Sequence, residues 1–546
     1  MALAAVFHCA PGRGSIIASM IRPSFLRRLL ALILIGVLTL QGAAAQLPDL
    51  GHTAQSSLSP AEEERIAEEI LRQVRFQEPS YVNDPEAEEY LADIGQRLAR
   101  AGSLDGRFRF FVLRDPTVNA FAMPGGVIGF HTGLIITSRT ESELASVMAH
   151  EMTHVSQHHL ARMLSSQGTN TALALASILA AVLIGRNSAN VGSAVLAGGQ
   201  AALIQNQLSY SRDYEREADR LGLQMLAGAG FDPQGMPDFF ARMYAQTRSL
   251  ENNASSYLST HPLTQDRIAD AGERVRQIGA RPQASPIDYH LMRARIEVVQ
   301  LGARTAIERY LAQQDKTPTA RAATLYGLAR AYLADHQPDK AAQQLPELQT
   351  LGFGSSFLVT LAADVAIAQG RYAEAARLCG EARARFPLRP SLQYCEAEAW
   401  LAGNDGEAAL RVVDPSLRTL NQDYRLYALQ ARANTLLGRS TETHRAQAEV
   451  YALQGDYTGA IDQLELAQKA GGGDHIAQAA MDARLREMRR LNACKKTRKA
   501  IFREQNSGKP SRGTRCAWLE VPATHPAYQE GPCQHAEWRP TACVGR

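Results

Sequence analysis

The chain lacks the long apolar runs of a multispan membrane protein. Leu29 to Leu40 and Ala172 to Gly185 are its greasiest stretches, and both fall short of the roughly 20 residues that cross a bilayer as a helix. A protease embedded in the membrane is thereby disfavoured. An excess of one charge is lacking too: 58 Lys and Arg against 55 Asp and Glu leave a formal +3, which offers no electrostatic case for nucleic acid as the main partner. Cysteine is scarce, seven in 546 residues, and no two have the CxxC spacing of a thiolate zinc site. Cys379 and Cys395 could meet in an oxidising compartment. Cys494, Cys516, Cys533 and Cys543 gather near the end, and the spacing of Cys516, Cys533, His535 and Cys543 fits no zinc pattern. Proline and glycine are absent from Thr140 to Leu160, so nothing local breaks a helix there.

In that uninterrupted stretch stand His150-Glu151-Met152-Thr153-His154. Residues four apart on a helix lie about 40° from each other, so His150 and His154 can bind one metal. Glu151 sits at the edge of the same face, where its carboxylate can take a proton from water. With 14 His in the chain, chance supplies the pattern about 0.02 times. The helix has its own support: Thr140 and Glu143 form a capping box, and Leu144, Val147, Met148, Val155 and Leu160 make an apolar stripe that carries the helix on through His158 and His159. These two histidines read as packing or supporting residues. A later helix, Tyr210 to Asp219, offers carboxylates for a third ligand. Glu215 and Glu217 lie about 200° apart on it, so both cannot face one metal.

Residues 1–45 read as an export signal. Arg22, Arg27 and Arg28 precede the apolar run, and Ala43-Ala44-Ala45 gives an AxA cleavage site. Met20 is then a natural start, and a retained amino-terminal anchor is the rival reading. Cleavage places the protein in a bacterial periplasm. The remaining chain of about 500 residues suits two or three domains. Helices are predicted from Pro60 to Phe76 and from Pro85 to Ala101. Strands follow around Phe108 to Leu113, Val118 to Met123 and Val127 to Phe130, the last two joined at Pro124-Gly125-Gly126. A sheet placed before the metal helix fits an edge strand that holds an extended peptide; an ordinary hairpin in the core is the alternative. The stretch Ala172 to Gly185 suits a lid, a membrane contact or a buried hairpin. From about residue 288 the texture is helical, with Ala329, Ala363 and Ala397, and again Ala341, Ala375 and Ala409, spaced 34 apart. That period matches tetratricopeptide repeats, whose default role is to bind another protein. The expected architecture is mainly α: an α+β metalloprotease domain with a small sheet over 46–280, a repeat solenoid over 281–490, and a basic, disordered tail over 491–546.

With His150, His154 and the run Glu215 to Asp219, the chain resembles the HtpX-like and BepA-like zinc metallopeptidases. The resemblance implies a zincin-type fold and one Zn2+ per chain, held by His150, His154 and Glu215, with Asp219 orienting a ligand histidine. Asn119, Ala120, Phe121, Ala122 and Met123 then match the substrate-side edge strand. His261, before Pro262, would close the metal's fourth position in a resting form or stabilise the oxyanion; Arg267 would do the latter or hold the cleft together. The implied activity is zinc-dependent endopeptidase cleavage of misfolded or misassembled envelope proteins in the periplasm. Repeats would recruit clients and the outer-membrane assembly machinery, and peripheral membrane contact fits the same plan. A chaperone-like assembly factor with a latent protease site is the alternative.

Overall fold

A computed structural model describes residues 60–166, 211–248, 255–279, 282–471 and 475–506. Residues 1–45, read from sequence as an export signal, the stretch Ala172 to Gly185, Cys516, Cys533, His535 and Cys543 lie outside them. Helices α1 (Pro60–Gln77) and α2 (Pro85–Ala101) precede strands β1 (Arg109–Leu113), β2 (Ala120–Met123) and β3 (Val127–His131). Asp84 caps α2 by accepting the Ala87 N–H at 3.1 Å, with Pro85 in the first turn. The sheet order is β1-β3-β2. Strand β1 runs parallel to β3, and β2 antiparallel with Ala120 opposite Phe130 and Met123 opposite Val127, so β2 stands at a sheet edge. The β2–β3 turn needs its glycines: Gly126 has φ 76°, and a Cβ there would fall 2.2 Å from the Arg107 carbonyl oxygen.

After α3 (Thr132–Thr137) comes α4 (Glu141–Ser156), the helix of the two histidines. Thr140 Oγ1 accepts the Glu143 N–H at 3.2 Å, while Glu143 Oε2 accepts the Arg139 N–H at 2.5 Å. The box thus closes one residue further back than usual. Helical spacing would carry α4 through Leu160, but it ends at Ser156. His158 adopts φ 51°, a left-handed conformation that a β-carbon disfavours, and α5 (His159–Ser166) starts in a new direction. His158 therefore leaves the His154 face; its ring is half exposed and lies 3.5 Å from Glu63.

Helix α6 (Arg212–Gly228) packs on α4. Gly222 permits the approach, since a Cβ there would come within 3.2 Å of the Ala149 and His150 backbone. Helices α7 (Gly235–Arg248), α8 (Ser255–Thr260) and α9 (Gln265–Ile278) complete this part. From helix Ile287–Leu301 onward the described chain is helical. The alanines at 34-residue spacing, Ala329, Ala363, Ala397, Ala341, Ala375 and Ala409, are all fully buried, as close helix packing demands. One apolar core extends from Val82 through Leu144, Val147 and Met148 to Phe357 and Val365, so the first C-terminal helices pack on the same core as α4. Cys379 and Cys395 form a disulfide with Cα atoms 6.0 Å apart. The final helix, His475–Asn506, runs past Arg490, where loss of order was expected. Leu485 and Met488 anchor it against Ala448, Ala460 and Leu464, and no Gly or Pro follows until Gly508. No helix among the described residues is long and apolar enough to cross a membrane.

Acidic residues of α2 bind this C-terminal region. Asp93 pairs with Arg389 at 2.5 Å, and Glu89 accepts the Ser391 N–H at 2.6 Å and its hydroxyl at 2.7 Å. Burial, opposed by Ser391 but aided by Glu86, pushes the Glu89 carboxyl up to about 7. A carboxyl that keeps its proton longer when folded contributes stability that is full below about pH 4.5 and is lost as pH rises through about 7. Glu89→Gln should therefore raise the melting temperature at pH 8 by about 2 °C and leave it nearly unchanged at pH 5. Equal shifts at both pH values would contradict the assignment.

Candidate metal centre

Four buried side chains converge under α4: His150, His154, Glu215 of α6 and His261, which follows α8. His150 Nε2 lies 3.0 Å from His154 Nε2 and 3.3 Å from His261 Nδ1. Glu215 Oε1 is 3.1 Å from His261 Nδ1 and 3.4 Å from His154 Nε2, and its Oε2 is 3.5 Å from His150 Nε2. Donors about 2.0–2.1 Å from a tetrahedral ion are spaced about 3.3–3.4 Å along each edge. The observed separations have that size, and three imidazole nitrogens and a carboxylate are a metal's ligand chemistry rather than a hydrogen-bond set. The residues present fit a metal ion.

Charge supports the same conclusion. Burial alone would push the His150 imidazole down, yet Asp219 and Glu215 raise it to about 10, so the centre favours a cation at this place. Glu215 is held well below the carboxylate range despite its burial by His261, His150 and His154. Burial drives His154 well below its usual value and keeps that ring neutral, as a ligand must be.

The surroundings hold the donors still. Asp219 Oδ1 is 3.0 Å from His150 Nδ1. Arg267 donates from Nε and Nη2 to Asp219 at 2.7 and 2.8 Å and from Nη1 to the Pro262 carbonyl at 2.8 Å, and Nη1 lies 2.6 Å from Glu215 Oε2. Burial opposes the charge on Asp219, but His150 and Arg267 keep its carboxyl below the usual value. Glu217 points elsewhere, to His159 at 3.1 Å and to Arg162 at 3.5 Å. Glu151 is fully buried beside His261, whose Nε2 is 3.4 Å from its Oε1. Burial raises its carboxyl, as expected of a group suited to accept a proton.

Strand β2 packs against α4. The His131 N–H donates to the Asn119 carbonyl at 3.0 Å, so by alternation Phe121 and Met123 also bond toward β3, and the backbone groups of Ala120 and Ala122 point away from β3, that of Ala122 toward Glu151. Tyr257 escapes the sequence patterns, whereas His159 is read from them as a packing or supporting residue. Tyr257 stacks on His261 with ring centroids 4.8 Å apart, and its buried hydroxyl has no hydrogen-bond partner among the described residues; its four-residue spacing from His261 is its only signal in the sequence. His159 lies behind His154, a position reached only through the turn at His158.

The model of peptidase family M48 matches residues 85–275, which carry all of these groups. The beta-barrel assembly-enhancing protease of Escherichia coli K12 is 33% identical over 452 residues, 82% of this chain and 92% of that one. The protein of that name from Yersinia pestis is 33% identical over 453 residues with the same shares. Mitochondrial metalloendopeptidase OMA1 of Schizosaccharomyces pombe is 29% identical over 206 residues, 37% of this chain and 56% of that one. From the matched region and from relatives aligned over nearly their whole length, the chain belongs to peptidase family M48.

Proposed function

We propose that the protein is a zinc-dependent endopeptidase of the bacterial periplasm that cleaves misassembled outer-membrane proteins. The observation that carries this is the buried cluster of His150, His154, Glu215 and His261 with Glu151 at its side and β2, an edge strand of the described sheet, alongside. His150, His154 and Glu215 hold the ion. Zinc, when bound, polarises the scissile carbonyl and makes water acidic enough to lose a proton near neutrality. Glu151 accepts that proton on its carboxylate and later delivers it to the leaving amine. Ala120 and Ala122 align an extended substrate through backbone bonds, beside a recess lined by Met123, Val155, Leu160 and Ala161. Arg267, its donors already engaged, holds Asp219 and Glu215 in place rather than serving an oxyanion. The helices after Ile287 act as tetratricopeptide repeats that recruit clients or their assembly machinery. The relatives named for beta-barrel assembly and the Cys379–Cys395 disulfide support the envelope location.

Metal analysis should find one zinc per chain, and a chelator should stop cleavage of unfolded casein until zinc is returned. Cleavage that survives full removal of metal would end this reading. A latent protease that also assists assembly is favoured by one feature: His261 Nδ1 stands within 3.3 Å of His150 and 3.1 Å of Glu215, at the fourth corner where substrate must enter. His261→Ala should raise the initial cleavage rate several-fold. A lower rate would show that His261 serves the reaction instead.

A further inference from the structure

We infer that Glu217 and His159 form a hydrogen-bond relay that fixes the tautomer and ring orientation of His154, making His159 a positioning residue for the metal centre. This rests on the proposal that His154 is a ligand through Nε2. The contacts run in one line. Glu217 Oε2 lies 3.1 Å from His159 Nε2, and His159 Nδ1 lies 2.9 Å from His154 Nδ1.

Their order follows from what each group can do. An ionised carboxylate only accepts, so His159 Nε2 must carry the proton that meets Glu217. The neutral His159 ring then presents a lone pair at Nδ1. His154 Nδ1 must donate to it, which places the lone pair of His154 at Nε2, toward His150 and Glu215. The opposite tautomer would aim an N–H at the metal position. Asp219 plays the corresponding part for His150, so the two histidines are backed in different ways: a direct carboxylate for one, a second imidazole and then a carboxylate for the other.

The backbone is shaped for this contact. On a continuing helix His159 would stand about 140° from His154 and could not reach it. The left-handed φ of 51° at His158 turns the chain so that His159 comes beneath His154. A non-glycine residue in that conformation is held by its surroundings. The His159 ring is itself clamped, fully buried and stacked on Tyr214 at 4.6 Å and 15°, with Arg162 over the far ring at 4.7 Å.

The test compares two replacements of similar size in the full chain. Gln at 159 can accept from His154 and donate to Glu217, whereas Leu can do neither. His159→Leu should weaken zinc binding by about 10- to 100-fold in competition with a chromogenic chelator. His159→Gln should stay within about threefold of wild type. Melting of the zinc-free forms monitors packing, and long-range 1H–15N spectra of the zinc-loaded protein should place the His154 proton on Nδ1 and the His159 proton on Nε2. Wild-type affinity in the Leu form, equal loss in the Leu and Gln forms, or a His159 proton on Nδ1 would overturn the relay while leaving the metal centre standing. A wild type that binds no zinc would overturn both.

Discussion

Replacing Glu151 by Gln should lower cleavage by at least about 10²- to 10⁴-fold, the usual weight of a positioned general base, while leaving metal content and fold intact. Glu151 is not among the four converging donors, so its loss removes no ligand. Its carboxyl is fully buried, with the His261 ring 3.4 Å away and the Ala122 backbone beside it. Burial pushes it toward the protonated form; a cation beside it opposes that push and keeps it ready to accept a proton. Gln has the same shape and no basic oxygen. It also removes a charge that is costly to bury, so the variant should be at least as stable as the parent. Initial rates on unfolded casein, read with zinc content, test this. Cleavage within fivefold of wild type would remove Glu151 from the mechanism. The same variant separates the two biological readings: full complementation of a deletion strain would favour assembly assistance, and failure would favour proteolysis.

The parts of the centre that sequence discloses are those made by short spacing on one element. His150, Glu151 and His154 lie within little more than one turn, Glu215 and Asp219 are one turn apart, and the capping box at Thr140 and Glu143 marks where the first helix begins. The buried alanines of the C-terminal helices are equally periodic. What stays hidden depends on a break in periodicity or on distant partners. His159 reads as the next residue of a helix because nothing in its type announces a left-handed histidine before it. The parallel pairing of β1 with β3 follows from burial rather than from any turn residue between them. Contacts between α2 and the C-terminal helices join residues such as Asp84 and Arg295, 211 positions apart, and no local pattern links them.

That hidden interface yields the largest expected change in stability. Arg295 of helix Ile287–Leu301 pairs with Asp84 through Nε and with Glu86 through Nη1 at 2.7 Å. Glu86 also accepts the Thr360 hydroxyl at 2.7 Å, and Arg330 lies 3.6 Å away. Both carboxyls are buried, and they answer differently: Arg295 holds Asp84 below its usual value against the effect of burial, whereas burial prevails at Glu86 and pushes it up. Arg295→Leu removes the cation and leaves its partners in place, which should cost about 3–5 kcal/mol, as breaking a buried pair does. The sign of the pH dependence follows from Asp84. A carboxyl whose folded pKa is depressed adds stability above its unfolded pKa and loses it as pH falls through the folded value, so the cost of Arg295→Leu should shrink toward acid. Adding Asp84→Asn should recover part of the loss, because Asn caps α2 about as well as Asp and carries no charge. Urea midpoints of the zinc-free protein at pH 7 and pH 4 measure all three effects. A cost below about 1 kcal/mol, the scale of an exposed pair, would mean that α2 and the C-terminal helices are held by their shared apolar core and that the arginine contributes little.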